Sequence, residues 1–261
     1  MPIHAKKSLG QNFLINPHIL DKIVAAAEVS KDDIILEVGP GTGLLTRKLA
    51  EKAKNVIAIE KDRRLIRSLH EIFKNYPNIE IVEADILKLP VTSYQLLINY
   101  KIVANIPYYI TSNFLRKVFE EFPKPELIVL TIQKEVAQRI IVKPPHVNLL
   151  ALSVQYYSEP EIIGNISKNN FRPVPRVDSA IIRLRPKALS LEPEETEKLF
   201  ALMKIGFSEK RKQLAPILSK KLKIGKERIL ESFGQAGIES TARAENLSLE
   251  QWGTLSKLLN I

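Results

Sequence analysis

A β-branched run, Ile34–Val38, leads straight into Gly39-Pro40-Gly41-Thr42-Gly43. Helical spacing resumes at once, with Leu44, Leu45, Leu49 and Ala53 on one stripe. A strand, a glycine turn and a helix in that order leave few folds open. Glycines there let a ligand approach the main chain, and the helix behind them presents free N–H groups. Taken alone, such a loop is equally a structural turn. The alternation then repeats. Val56–Ile59 is predicted as a strand, Asp62 as the N-cap of a helix over Arg63–Lys74, and Ile79–Val82 as a third strand ending at Ala84-Asp85. Lys101–Ala104 and Leu127–Ile132 supply two more strands. Thr111 or Ser112 is expected to cap a helix running to Glu121. Lys134–Val142 and Asn148–Tyr157 read as helices, and Ala180–Leu184 as a late strand. Strands separated by helices argue a mainly parallel α/β sheet covered on both faces.

Pro186 to Pro193 lacks periodicity and reads as a linker; beyond it Glu194–Phe207, Arg211–Leu222, Glu227–Phe233 and Leu249–Leu259 all read as helical. Two domains are expected, residues 1–186 and 187–261. The first carries 26 basic against 19 acidic residues and the second 13 against 10, so both contribute to the net charge of +10. That surplus points to a polyanionic partner, because neutralising phosphates releases counterions. An acidic membrane is the competing partner. The chain has no apolar run of ~18 residues and no short apolar stretch behind a basic start, so neither spanning nor secretion is expected. It has no cysteine, and His4, His18, His70 and His146 are scattered, so no metal site is expected either. The chain reads as cytosolic and metal-free, and nothing in it demands more than a monomer.

The strand after the glycine loop ends Ala58-Ile59-Glu60, about 20 positions on, where a carboxylate would grip a ribose diol. Glu37 precedes Gly39 and Gly41. A carboxylate there repels a diphosphate but suits an ammonium. S-adenosylmethionine carries an ammonium and a sulfonium and no phosphate. Asp85, ending the third strand, is positioned to accept from the adenine amine. All three acids fall at the carboxyl edge of the predicted sheet, where open α/β folds bind ligands.

Ala104-Asn105-Ile106-Pro107-Tyr108-Tyr109 follows the fourth strand. An exocyclic ring amine is a poor nucleophile because its lone pair is delocalised. The Asn105 side-chain oxygen and a nearby backbone carbonyl can bond its hydrogens and aim the nitrogen at a methyl carbon. Pro107 stiffens the turn, and Tyr108 can stack on the base. The sulfonium is already activated, so positioning and charge placement carry the catalysis. A base within folded RNA must be splayed out to be reached. Phe171, in the rigid loop holding Arg172 and Arg176, is a candidate second stacking face. Equally, it is a phenylalanine pinning that loop to the core.

With these motifs assembled, the chain resembles the ribosomal RNA adenine N6-dimethyltransferases, in their small-subunit branch. The resemblance is carried by Lys7-Ser8-Leu9-Gly10-Gln11-Asn12-Phe13-Leu14, Glu37–Gly43, Glu60-Lys61-Asp62, Ala84-Asp85, Asn105–Tyr108, Gln133–Ala137, Asn170–Ser179 and Arg243–Ser248. It implies a Rossmann-like S-adenosylmethionine-dependent methyltransferase domain followed by a small all-α domain that helps bind the ribosomal particle. It also implies that Asn12 and Leu14 close over the cofactor beside Gly39, Glu60, Asp85 and Asn105; read from the residues alone, Gln11–Leu14 is a basic N-terminal arm. The implied activity is dimethylation of two adjacent adenosines in a hairpin loop near the 3′ end of small-subunit rRNA, with the immature small subunit as partner. Lys210, Arg211 and Lys212, with Lys220 and Lys221, are by that analogy candidate phosphate contacts. Two stretches depart from the family pattern: Leu149-Leu150 where a Tyr-Gly pair is usual, and Gln213–Pro216 in the last basic motif. The rivals are the sister branch that methylates large-subunit rRNA, a non-catalytic RNA-binding or transcription-accessory protein on the same fold or an assembly factor whose binding outweighs its chemistry, and a dehydrogenase. The Leu-Gly-Gln-Asn opening and the Arg-Ala-Glu-Asn-Leu-Ser ending favour the small-subunit branch.

Overall fold

The computed structural model describes residues 5–6, 9–90, 99–189 and 191–260; His4, Lys7 and Ser8 lie outside them. A seven-stranded sheet runs in the order β4-β3-β2-β5-β6-β9-β7, formed by β2 (Ile34–Val38), β3 (Asn55–Glu60), β4 (Ile79–Glu83), β5 (Tyr100–Asn105), β6 (Leu127–Gln133), β7 (Ser158–Ile166) and β9 (Ser179–Pro186). The five strands from β4 to β6 are parallel, and β9 is antiparallel to β6. The strand order reverses between β2 and β5, so the carboxyl ends of those two neighbours open a crevice. A separate two-stranded pair joins β1 (Phe13–Leu14) to β8 (Phe171–Arg172), with Leu14 opposite Phe171.

Side chains alternate across the sheet. Ile35, Val56, Val103, Val129 and Ile181 share one face and pack against Leu20, Ile23 and Val24 of α1 (Pro17–Ala26) and Leu45 and Leu49 of α2 (Leu44–Ala50). Asn16 caps α1 by accepting from the His18 N–H, with Pro17 in the first turn. Asp62 caps α3 (Arg63–Phe73) as expected, accepting from the Arg64 N–H. At α4 (Thr111–Glu120) the expectation is corrected. Thr111 already belongs to the helix, neither Thr111 nor Ser112 caps it, and the Thr111 hydroxyl instead donates to the Tyr108 carbonyl at 3.0 Å.

The contacts divide the chain into two units, residues 1–137 with 159–186 and residues 138–158 with 187–261. The second is helical: α6 (Leu149–Tyr157), α7 (Pro193–Gly206), α8 (Leu214–Leu222), α9 (Lys226–Gln235) and α10 (Leu249–Leu259), after α5 (Lys134–Ile141), which crosses the boundary. Its core centres on fully buried Trp252, with Leu202, Met203, Leu214 and Phe233. Leu152 and Tyr156 of α6 join the same core, and Tyr156 Oη lies 2.6 Å from Thr196 Oγ1. Apolar packing therefore assigns residues 138–158 to the helical unit, although they precede residue 187 in the chain.

Candidate active site

The crevice between β2 and β5 opens into a cleft of about 920 Å³, counted out to open solvent. Its floor is Gly39, Gly41, Glu60, Asp85 and Asn105, and its walls include Leu9–Phe13 and Asn105–Ile110. The main chain makes it possible. Gly41 sits at φ +60, and a Cβ there would lie 2.9 Å from the Phe13 ring. Gly39 has φ +72 and donates from its N–H to the Ile59 carbonyl at 2.9 Å. Both glycines thus hold a left-handed turn that other residues adopt at a cost.

Glu60, at the end of β3, is buried. Its Oε1 accepts from the Lys61 and Asp62 N–H groups at 2.8 and 2.9 Å, and its Oε2 from the Gly41 N–H at 3.3 Å. Burial raises its pKa, the backbone donors oppose the rise, and the Asp62 charge adds to it. Asp85 accepts from Lys61 Nζ at 2.8 Å and from the Leu87 N–H at 3.2 Å. Burial acts to raise its pKa, but the Lys61 ammonium and the Leu87 N–H hold it below the ordinary range.

Glu37 shares the strand face of Ile35, so α1 and α2 cover it and it is only 1% exposed. It faces a smaller pocket of about 320 Å³ that shares Phe13, Gly39, Gly41 and Asn105 with the main cleft. Its Oε2 has no hydrogen-bond partner. Burial pushes its pKa up to about 8, Thr46 pulling the other way and the Glu60 charge adding to the rise.

Asn105 ends β5. Its Nδ2 donates to the Asn12 carbonyl at 3.2 Å, and Asn12 is folded back by its own bond to the Gly10 carbonyl at 3.1 Å. Gln11 Nε2 donates to Asp62 Oδ2 at 3.0 Å, which ties the opening segment to the start of α3. Tyr108 Oη lies 2.7 Å from Ser179 Oγ, so its ring is anchored at the cleft wall beside Pro107.

The sequence-predicted residues therefore divide. Asn12, Gly39, Gly41, Glu60, Asp85, Asn105, Pro107 and Tyr108 line the main cleft. Glu37 and Leu14 line the smaller pocket. Phe171 is 0% exposed and lines neither, packing in the sheet core opposite Leu14. Of its two open readings, the structure puts it in the pinning one. Arg172, Arg176, Lys210, Arg211 and Lys212 are all exposed, and Lys212 is ion-paired with Glu209. Lys61, Phe13 and Tyr109 also line the cleft without having been singled out.

A doubly wound sheet whose carboxyl edge gathers a glycine turn, two strand-end acids and an Asn-Ile-Pro-Tyr turn defines a methyltransferase. Residues 3–260 match the family described as ribosomal RNA adenine dimethylase, and the chain belongs to that family. It is 42% identical over 255 residues to the ribosomal RNA small subunit methyltransferase A of Dehalococcoides mccartyi, covering 97% of this chain and 88% of that protein. A protein of the same name from Rippkaea orientalis is 41% identical, with 97% of each chain covered. Among solved structures, the 23S rRNA methyltransferase ErmE matches with a TM-score of 0.78 at 32% identity, over 96% of this chain and 100% of that one. A dimethyladenosine transferase from Plasmodium falciparum matches at 0.78 and 30%, over 93% and 95%. Among the described residues no helix is long and apolar enough to cross a membrane.

Proposed function

We propose that this chain transfers methyl groups from S-adenosylmethionine to the N6 amines of two adjacent adenosines in a hairpin loop near the 3′ end of small-subunit rRNA, acting on the immature small subunit. One observation carries the reading: Glu60, Asp85 and Asn105, from three different strand ends, meet in one cleft behind the Gly39–Gly41 turn.

The residues suit this cofactor by their own chemistry. Buried Glu37, with Oε2 unpartnered, suits an ammonium group. Glu60 is held rigid by three backbone donors and retains lone pairs for ribose hydroxyls. Asp85 accepts an adenine amine by exchanging it for the Lys61 contact. A diphosphate here would face the Glu60 and Asp85 carboxylates, which disfavours the dehydrogenase alternative. When bound, the cofactor supplies a methyl group on an already activated, positively charged sulfur.

The chain's task is then to present the amine. With the Asn105 Nδ2 committed to the Asn12 carbonyl, the amide oxygen is the end left to accept an amine hydrogen. Tyr108, fixed through Ser179, offers a stacking face to the flipped base. Pro107 keeps that turn stiff. Asn12 and Leu14 bring the opening segment over the cofactor, and Phe171 supports Leu14 from below. Arg172, Arg176, Lys210, Arg211 and Lys212 serve as phosphate contacts, and residues 187–261 as the ribosome-binding part.

The test is methyl transfer from labelled S-adenosylmethionine to immature small subunits lacking adenine dimethylation, with large-subunit rRNA in parallel. Dimethyladenosine in the small-subunit RNA alone is expected. Label in the large-subunit RNA would move the chain to the branch of its ErmE-like neighbour, and no label in either would overturn the enzymatic reading.

A further inference from the structure

Tyr109 lines the cleft and has no part in the mechanism above. It is 62% exposed, the most exposed large apolar side chain among the described residues and the only aromatic one in that group. A lone exposed apolar side chain is ordinary; this one directly follows Tyr108 and lines the same cleft.

Its position is built. The turn Tyr108–Ile110 is closed by the Ile110 N–H on the Pro107 carbonyl at 3.1 Å and by the Thr111 hydroxyl on the Tyr108 carbonyl at 3.0 Å, and buried Ile110 anchors its far side. The Tyr109 ring rests on the main chain of Gly10, where a Cβ would come within 3.2 Å of Cδ1. Gly10 itself is at φ +60. One side of the ring is thus supported by protein while most of the residue stays open to solvent. Its hydroxyl has no hydrogen-bond partner among the described residues, so the turn and Gly10 hold the residue while its phenol oxygen stays open. Lys61, half-exposed on the same rim and paired with Asp85 at 2.8 Å, lies within electrostatic reach of the phenol.

An exposed, backbone-supported aromatic next to a cation is how proteins bind unstacked nucleotides. We propose that Tyr109 is the stacking platform for the nucleotide that flanks the target adenine, a second base subsite at the rim of the cleft. The inference rests on the reading of the cleft as an adenine methylation site. Where two adjacent adenosines are modified, this subsite holds the one waiting while the other reacts, and Tyr109 is a substrate-positioning residue rather than a catalytic one.

The test compares wild type, Tyr109→Ala and Tyr109→Phe in steady-state methylation of immature small subunits, with cofactor affinity measured separately by equilibrium titration. Tyr109→Ala should raise KM for the RNA substrate about 10-fold, the loss of one stacked base. Its kcat at saturating substrate and its cofactor affinity should stay near wild type, and Tyr109→Phe should restore KM. A wild-type KM in Tyr109→Ala, with the wild-type enzyme active, would overturn the subsite and leave the methyltransferase reading intact. A loss confined to kcat or to cofactor affinity would also overturn it, since the ring would then serve the reacting centre. A wild-type protein that transfers no methyl group would remove the reading and the subsite together.

Discussion

The two edges of the same parallel sheet differ in how they treat their buried acids: at the carboxyl edge Asp62 is paired with Arg64, but among the described residues Glu37 and Glu60 are not paired with a cation. At the amino edge the buried acid among the described residues, Asp33, meets a cation. Asp33 accepts from Lys101 Nζ at 2.8 Å, and the same ammonium donates to the Glu28 carbonyl at 2.7 Å. Arg183 bridges Glu28 and Glu161, and Arg185 pairs with Glu28 as well. At the carboxyl edge, among the described residues, no cation reaches Glu37 or Glu60. Glu37 keeps an unpartnered oxygen, Glu60 has only backbone donors, and Asp85 is met by a lysine that is itself half-exposed. Buried charge is costly unless paired. Paired charges brace the fold, whereas an acid buried without a cation persists where a ligand supplies the missing partner.

The largest effect expected from this contrast is at the amino edge. Lys101→Met leaves Asp33 buried without its cation and should cost about 3–5 kcal/mol of stability in denaturant unfolding. A loss below about 1 kcal/mol would break the comparison, because the pair would then not be bracing the fold. At the carboxyl edge the same measurement should move the other way. Burial lifts the Glu37 pKa to about 8 in the folded chain, against about 4.5 when unfolded, and so favours the protonated carboxyl between those values. The unfolded chain thus binds fewer protons across that window, and stability falls as pH rises through it. Glu37→Gln should flatten this slope and be more stable than wild type at pH 8. An unchanged slope would show that Glu37 is already ionised and paired. The smallest effect is on binding alone. Glu60→Ala should weaken cofactor binding roughly 10- to 100-fold, one or two hydrogen bonds to a charged group, with RNA affinity unchanged. An unaltered cofactor titration would remove the ribose contact.

The local patterns of the sheet were legible in the sequence because each strand from β2 to β6 is a short apolar run set between helical spacing. Asp62 was legible as a cap because capping is a local hydrogen bond. The Asn16-Pro17 start of α1 carries the same kind of signal, although no helix is expected there from the sequence. The β1–β8 pair was not legible, since two residues at each end of a long separation gain their partners only through tertiary folding. β7 carries Pro160 and Gly164, which weaken its alternation. For the site, residue types and strand ends pointed to Glu37, Glu60, Asp85 and Asn105, but their differing states depend on burial. Only packing by α1 and α2 separates the orphaned Glu37 from the well-satisfied Glu60, and it also buries Phe171. Lys61 and Tyr109 were hidden for the same reason, a strand-end lysine and a second tyrosine having no signature until they share a rim.

Methyl transfer on this reading depends on Asn105 orienting the amine, more than on its share of cofactor or RNA affinity. That dependence is tested most directly by single-turnover methylation of immature small subunits with Asn105→Ala at saturating cofactor and RNA. The rate should fall by about 100-fold or more, as for other removed transition-state contacts, while cofactor and RNA dissociation constants stay within about threefold of wild type. A near-normal single-turnover rate would contradict the account.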